Sequence, residues 1–401
     1  MKILIVSPFF APYSLVGANR MLSLSRFLAE KGYDVTVWAH DRDTLARLSD
    51  EKSLCSEVPE NVNLIRFSVP KVSANNYLFP FSYIKQVMAC RMAAKKQLNK
   101  KNFDIIIMSC GPTYQQEAVL RYAKLRSIPL VMDMRDLDVL SCRSNKQNYF
   151  IKTVQNLLWK YQQYKPEKQC MKYAKKVVVV VAGADSVVEK AYGIPINKTV
   201  VICNGYDEKM LVDLPKVEKD SSVLRVGFFG KLMSYSPERG RRLLIAIDSL
   251  YKSGIPIELY HIGQKCQLAY DAIRDLSLFP QIYNYVGPKD YKDGMALMRN
   301  ADLFAIEYLD PKGLGTKIFD YIFLNKPIVC VSPKECVLAQ MVSLFENGFS
   351  CDSKDEIVDA IMKIVKERKT VLDNKADLSV YSRKRQNERY DKLIMDICKK
   401  S

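Results

Sequence analysis

The sequence predicts an α/β protein made of two doubly wound domains, and three observations carry that prediction. Short, almost wholly apolar runs rich in Val and Ile recur along the chain, separated by amphipathic helical segments. Runs without polar alternation mark parallel strands covered on both faces. The series is interrupted once, by a polar, charged, proline-containing stretch at residues 208–222, and then restarts. A chain of 401 residues is long enough for two domains with separate cores.

The first series reads as strands at residues 3–7, 35–39, 62–67, 105–109, 130–134, 177–181 and 200–203, with helices at 19–31 and 83–99. The second reads as strands at 225–229, 257–262, 282–286, 303–306 and 328–331, with a helix at 241–252 and others between the later strands. The expected organisation is a first domain at 1–207, a linker at 208–222, a second domain at 223–380, and a lone basic helix within 381–401 that can cross back onto the first domain. Doubly wound sheets bind ligands beyond the carboxyl ends of their strands. A cleft between two facing domains is therefore the expected site.

Composition narrows the function. Hydrophobic residues at 48% and charged residues at 26% are ordinary for a globular protein. No apolar run is long enough to span a bilayer, and residues 1–10 lack the small-residue cleavage site of a signal peptide. Eleven cysteines, an odd number without Cys-x-x-Cys spacing, point to reduced thiols in a cytoplasmic protein. With only His40 and His261, a histidine-built metal site is not expected. The formal charge of +17 calls for an anionic partner. It concentrates at residues 85–101 and 152–176, the latter interleaved with Trp159, Tyr161, Tyr164 and Tyr173. Such segments suit helices lying on an anionic membrane surface, or a solvated basic face. Nucleic acid is not expected, because no zinc finger, RNA-recognition signature or basic zipper is present.

The most informative stretch is residues 313–327, where Gly313-Leu314-Gly315-Thr316-Lys317 runs into a helix start. Its free backbone N–H groups and helix dipole suit an anion, with Lys317 adding charge and Thr316 expected to cap by its hydroxyl. Asp320, one turn on, is placed to take a ribose hydroxyl. Each domain opens with a strand followed by a turn that suits phosphate or a hydroxylated ligand. In the first, Gly17 lets backbone approach a ligand. In the second, Gly230-Lys231 ends a strand and Arg239-Gly240 opens the next helix, so that two cations could face a diphosphate. The spacing is not that of a P-loop.

Taken together these segments resemble the retaining GT-B glycosyltransferases of family 4 (glycosyl transferases group 1). The resemblance covers nearly the whole chain. It rests on Lys2-Ile-Leu-Ile-Val-Ser-Pro with Gly17, on Gly111-Pro112 and Asp133-Met-Arg-Asp136, and on Asn204-Gly-Tyr-Asp207. In the second domain it rests on Gly230-Lys-Leu with Arg239-Gly240, and on Thr316-Lys-Ile-Phe-Asp-Tyr followed by Lys326-Pro327. It implies two Rossmann-like domains facing a cleft and transfer of a sugar from a nucleotide-diphosphate sugar with retention, without cofactor or obligatory metal. Lys231 and Arg239 would hold the diphosphate. Gly17 and the backbone of Gly313, Leu314, Gly315 and Thr316 would touch phosphates or sugar. Asp320 would stand for the family's ribose glutamate, and Tyr285, Val286 and Gly287 would lie near the base. Two departures follow. The family's acceptor-domain histidine is missing, leaving Arg135 and Asp136 as catalytic candidates or as a structural ion pair. The carboxylate two helical turns before the ribose carboxylate is replaced by Lys312, with Glu307 or Asp310 as substitutes. The expected acceptor is a lipid-linked or cell-surface glycan, with the protein peripheral at the inner face of the membrane. The alternatives are a non-catalytic basic scaffold binding anionic lipid or polymer, and a sugar-nucleotide epimerase.

Overall fold

The structure is a computed structural model and describes residues 1–12, 16–48, 58–71, 80–135, 157–214, 223–276, 278, 282–310 and 313–399. Each apolar series forms one parallel sheet with helices interleaved between its strands. The first sheet holds β1 (Lys2–Val6), β2 (Asp34–His40), β3 (Val62–Phe67), β4 (Ile105–Ser109), β5 (Leu130–Met134), β6 (Lys176–Val179) and β7 (Thr199–Val201). Their order is β3-β2-β1-β4-β5-β6-β7. The second holds β8 (Leu224–Phe229), β9 (Ile257–Ile262), β10 (Tyr283–Gly287), β11 (Leu303–Glu307), β12 (Ile328–Val331) and β13 (Gly348–Cys351), in the order β10-β9-β8-β11-β12-β13. Both are doubly wound, with a switch point where the order reverses: between β1 and β4, and between β8 and β11.

The chain divides into two compact units, Met1–Cys203 with Gln386–Ser401, and Asn204–Arg385. Residues 208–214 are not free linker. Asp207 caps the short helix Glu208–Leu211 by accepting from the Lys209 N–H at 3.2 Å, and Leu211 and Leu214 are buried. Residues 215–222 lie outside the described residues. The strand β13 and the helix Lys354–Lys366 add to the elements read from sequence. That helix starts with a capping box, in which Ser353 and Glu356 satisfy each other's backbone N–H groups.

The second core packs Val226, Leu259 and Leu303 of the sheet against Leu243 and Ile247 of the helix Pro237–Lys252 and against Ile357 and Ile361 of Lys354–Lys366. The first core packs Ile3, Ile5, Val37 and Ile107 against Met21 and Leu24 of the helix Val16–Glu30, and against Tyr390 and Ile394 of the helix Arg383–Cys398.

One polar network crosses the first unit. Arg20 and Asp133 are both buried and bonded at 2.9 Å. Arg20 also donates to the carbonyls of Cys203 at 2.7 Å and Ile202 at 2.8 Å, and to the Tyr390 hydroxyl at 3.0 Å. Burial works against its charge, but Asp133 and Tyr390 outweigh that and hold its pKa above the ordinary value. One guanidinium thus joins the first helix, β5, the segment after β7 and the last helix. Removing one partner of a buried pair strands the other charge. Arg20→Met should therefore cost about 3–5 kcal/mol, and Tyr390→Phe about 1 kcal/mol, both read by chemical denaturation. A loss of under about 1 kcal/mol for Arg20→Met would show that the pair does not tie the unit together.

Candidate functional site

In the second unit, the loops leaving β8 and β11 border a pocket at the switch point. Tyr235, Glu307, Tyr308, Gly315, Thr316, Lys317 and Tyr321 line it. Gly230, directly after β8, has a φ of 110°, and Lys317 Nζ occupies the space where its side chain would be. Only glycine accepts both conditions. Its N–H donates to the Ile262 carbonyl at 2.7 Å, and its own carbonyl lies 2.6 Å from His261 Nε2. His261 Nδ1 lies 2.6 Å from the Tyr283 hydroxyl. Burial lowers the His261 pKa, which favours a neutral ring that donates to the Gly230 carbonyl and accepts from Tyr283. On the neighbouring strand ends, the Gly263 N–H donates to the Gly287 carbonyl at 3.0 Å, and the Tyr285 hydroxyl donates to the Gly263 carbonyl at 3.0 Å. Gly230, Tyr285, Val286 and Gly287 therefore share the carboxyl edge of β8 to β10, with Tyr285 and Val286 half-buried.

The helix Lys317–Leu324 closes the pocket. Thr316 precedes it with helical φ and ψ of −70° and −23°, and its hydroxyl makes no capping bond. This corrects the expected cap: a capping side chain reaches the first-turn N–H groups from extended backbone, which Thr316 does not adopt. Lys317 Nζ lies 5.5 Å from the centroid of the Tyr235 ring. Burial lowers the Lys317 pKa and Lys231 lowers it further, while Glu307 and Asp320 act to raise it. Lys231 is exposed and Lys317 half-buried, and the two lie at the same corner. Gly313, Leu314 and Gly315 are half-buried on the approach to this helix, and the Tyr308 and Asp310 side chains pack against Gly313.

Glu307, at the end of β11, is 1% exposed. Its Oε1 accepts from the Tyr235 N–H at 3.3 Å, while Oε2 is buried without a hydrogen-bond partner. Burial raises its pKa to about 7, against the pull of the Tyr235, Ser236 and Met233 N–H groups and of Lys317. Of the two carboxylates proposed in place of Lys312, Glu307 is the one that lines the pocket. Lys312 itself lies outside the described residues.

Asp320 and Arg239 are both engaged within the unit. Asp320 accepts from the Tyr291 hydroxyl at 2.5 Å, and burial raises its pKa to about 6. Arg239 pairs with Asp352, Nε to Oδ1 at 2.9 Å, and Arg242 reaches the same oxygen at 2.7 Å. The sequence reading missed Tyr321 and His261. The Tyr321 hydroxyl takes the Phe229 N–H at 3.0 Å at the end of β8. The only available signal was an aromatic beside Asp320 in the helix, and nothing flagged His261.

In the first unit, Gly17 and Arg135 come together. A side chain at position 17 would run into the Arg135 guanidinium. Asp136 lies outside the described residues. Gly111 packs against the Pro8 ring, bringing the loops after β1 and β4 into contact at that sheet's switch point.

Residues 17–209 match the model of Glycosyltransferase Family 4. No curated protein matches the chain by sequence. Among solved structures, HepE of Anabaena in complex with UDP and glucose is similar at a TM-score of 0.62 and 15% identity, over 99% of this chain and 100% of that one. WaaG, a glycosyltransferase involved in lipopolysaccharide biosynthesis, is similar at 0.60 and 12%, over 99% and 98%. The UDP-GlcNAc 2-epimerase of Methanocaldococcus jannaschii is similar at 0.55 and 14%, over 98% and 99%. The fold is GT-B, and the first unit carries the match to Glycosyltransferase Family 4. Because an epimerase shares that fold, the choice of chemistry rests on the site.

Glu307 sets a pH dependence. Its pKa is raised from 4.5 to about 7 on folding, so the folded state favours the neutral carboxyl. Its contribution to stability is complete below pH 4.5 and is lost as pH rises through about 7. Glu307→Gln should accordingly gain stability relative to the parent across that window, by on the order of 3 kcal/mol. Thermal melts from pH 5 to pH 8 would read it as a widening Tm gap; a constant gap would show that Glu307 stays ionised.

Proposed function

We propose that the protein transfers a sugar, with retention of configuration, from a nucleotide-diphosphate sugar to a lipid-linked or cell-surface glycan, working at the cytoplasmic face of a membrane. One observation carries the donor assignment: Lys317 and Lys231 converge at Gly230, beside a pocket at the switch point of a doubly wound sheet. Glycosyl transfer from such a donor leaves a nucleoside diphosphate, and two cations beside a close-approach glycine suit the charge that builds on it. In this reading Lys231 and Lys317 neutralise the leaving diphosphate. The backbone of Gly313 to Thr316 approaches the phosphates and sugar, and Tyr285, Val286 and Gly287 border the base. Arg239 reaches the diphosphate only by releasing Asp352, and Asp320 takes the ribose only by releasing Tyr291. Within the first unit, Gly17 is the candidate for a backbone contact with the donor, and Arg135 and Asp136 are the catalytic candidates. UDP, seen with HepE, is the first nucleotide to try.

A second reading, a basic GT-B scaffold that binds anionic lipid or polymer without catalysis, draws on those same internal engagements of Arg239 and Asp320. Nucleotide-sugar binding separates the two. UDP-glucose and other nucleotide sugars should raise the Tm of the full chain by mass action. Lys231→Ala should weaken that binding by roughly ten- to a hundredfold, as loss of a charge-assisted contact does. Unchanged donor affinity in Lys231→Ala would remove that lysine from the site. A complete absence of nucleotide binding and of nucleoside diphosphate release, across donors, would leave the scaffold reading.

A further inference from the structure

The helix Pro80–Leu98 turns an unusual face outward. Its inner side is ordinary: Val87, Cys90, Ala94 and Leu98 are buried. Arg91 fixes its orientation through an ion pair with Glu117 of the helix Thr113–Leu125, at 2.7 Å. On the outer side Phe81 is 70% exposed, Ile84 49%, Met88 53% and Met92 65%. Spacings of three, four and four residues place these side chains in one stripe along the helix. Lys85, Lys95 and Lys96 are exposed on the same face, and the helix contains no Asp or Glu. Four large apolar side chains in water have no place on a merely solvated face, whose solvent side is normally polar.

We propose that this stripe docks the protein on an anionic bilayer, with Phe81, Ile84, Met88 and Met92 entering the headgroup boundary and Lys85, Lys95 and Lys96 pairing with lipid phosphates. The occupant is chosen by charge. A face with an apolar stripe, lysines within it and along one side, and no acids complements an anionic lipid surface. The helix lies in the interface plane, since no described helix is long and apolar enough to cross a membrane. The proposal deepens the reading of a membrane-held acceptor: it names the surface that would bring the first unit to it.

The test is co-sedimentation of the full chain with vesicles of phosphatidylcholine, with and without phosphatidylglycerol. Because all the changed residues are exposed, two triple variants keep the fold. One carries Phe81→Ser, Met88→Ser and Met92→Ser; the other carries Lys85→Glu, Lys95→Glu and Lys96→Glu. Binding should require phosphatidylglycerol, fall at high salt, and drop more than about tenfold in either variant. Melting curves and the nucleotide-sugar thermal shift in solution should stay as in the parent. Equal pelleting of parent and variants would overturn the proposal. So would a stripe variant that abolishes self-association, or capture of one protein partner, while leaving vesicle binding intact. Failure of the parent itself to bind phosphatidylglycerol vesicles, with donor binding retained, overturns the docking surface alone. Docking without donor binding overturns the transferase reading alone.

Discussion

The first unit depends on where one buried charge goes. Arg20 sits in a core that excludes water, and an unpaired guanidinium there would be untenable. Asp133 supplies the counter-charge, and the carbonyls of Ile202 and Cys203 and the Tyr390 hydroxyl use the remaining donors. These partners come from residues far apart in the chain, so the network forms only when the sheet and the returning helix are both in place. The second unit manages its switch point differently. There neutral groups hold the strand ends, His261 on the Gly230 carbonyl and Tyr321 on the Phe229 N–H. The charges in that corner, Lys231, Lys317 and Glu307, stay at or beside the pocket instead of being consumed by the core.

That contrast bears on how to read the motif residues. Arg20 lies three residues after Gly17, and Asp133 opens the Asp133-Met-Arg-Asp136 segment, yet their side chains serve the core. Arg239 and Asp320 likewise have internal partners. Lys317, by contrast, is held against a glycine whose side-chain space it fills, with its charge disfavoured by burial. A half-buried cation beside an uncapped helix start gains most from an anion that brings its own charge.

Much of the fold was legible because parallel strands buried on both faces must be apolar throughout, and Val-Ile runs such as residues 105–107 and 177–179 have few other uses. The strand β13 was not legible: Gly348-Phe-Ser-Cys351 is short, contains glycine, and is a strand because it pairs with β12. At the site, glycines and lysines were readable because close approach and charge restrict the residue type. Three partnerships were not readable: Lys317 with Gly230, Glu307 with the loop at Tyr235, and Asp320 with Tyr291. Each joins positions brought together by the winding of the sheet. The Thr316 cap failed for a local reason, since the backbone is already helical one residue before the helix.

The charge of +17 is easier to interpret once it is divided by surroundings. Some cations are internal, such as Arg20, and serve the core. Some flank the pocket, where an anionic donor would neutralise them. Those on the outer face of Pro80–Leu98 have neither role. Electrostatics alone would not explain their neighbours, because a solvated lysine needs no exposed Phe81 or Met92 beside it. Solubility alone would disfavour the stripe. The combination suits a surface that offers both negative charge and apolar depth within a few ångströms, which is the physical description of the anionic bilayer interface proposed for it.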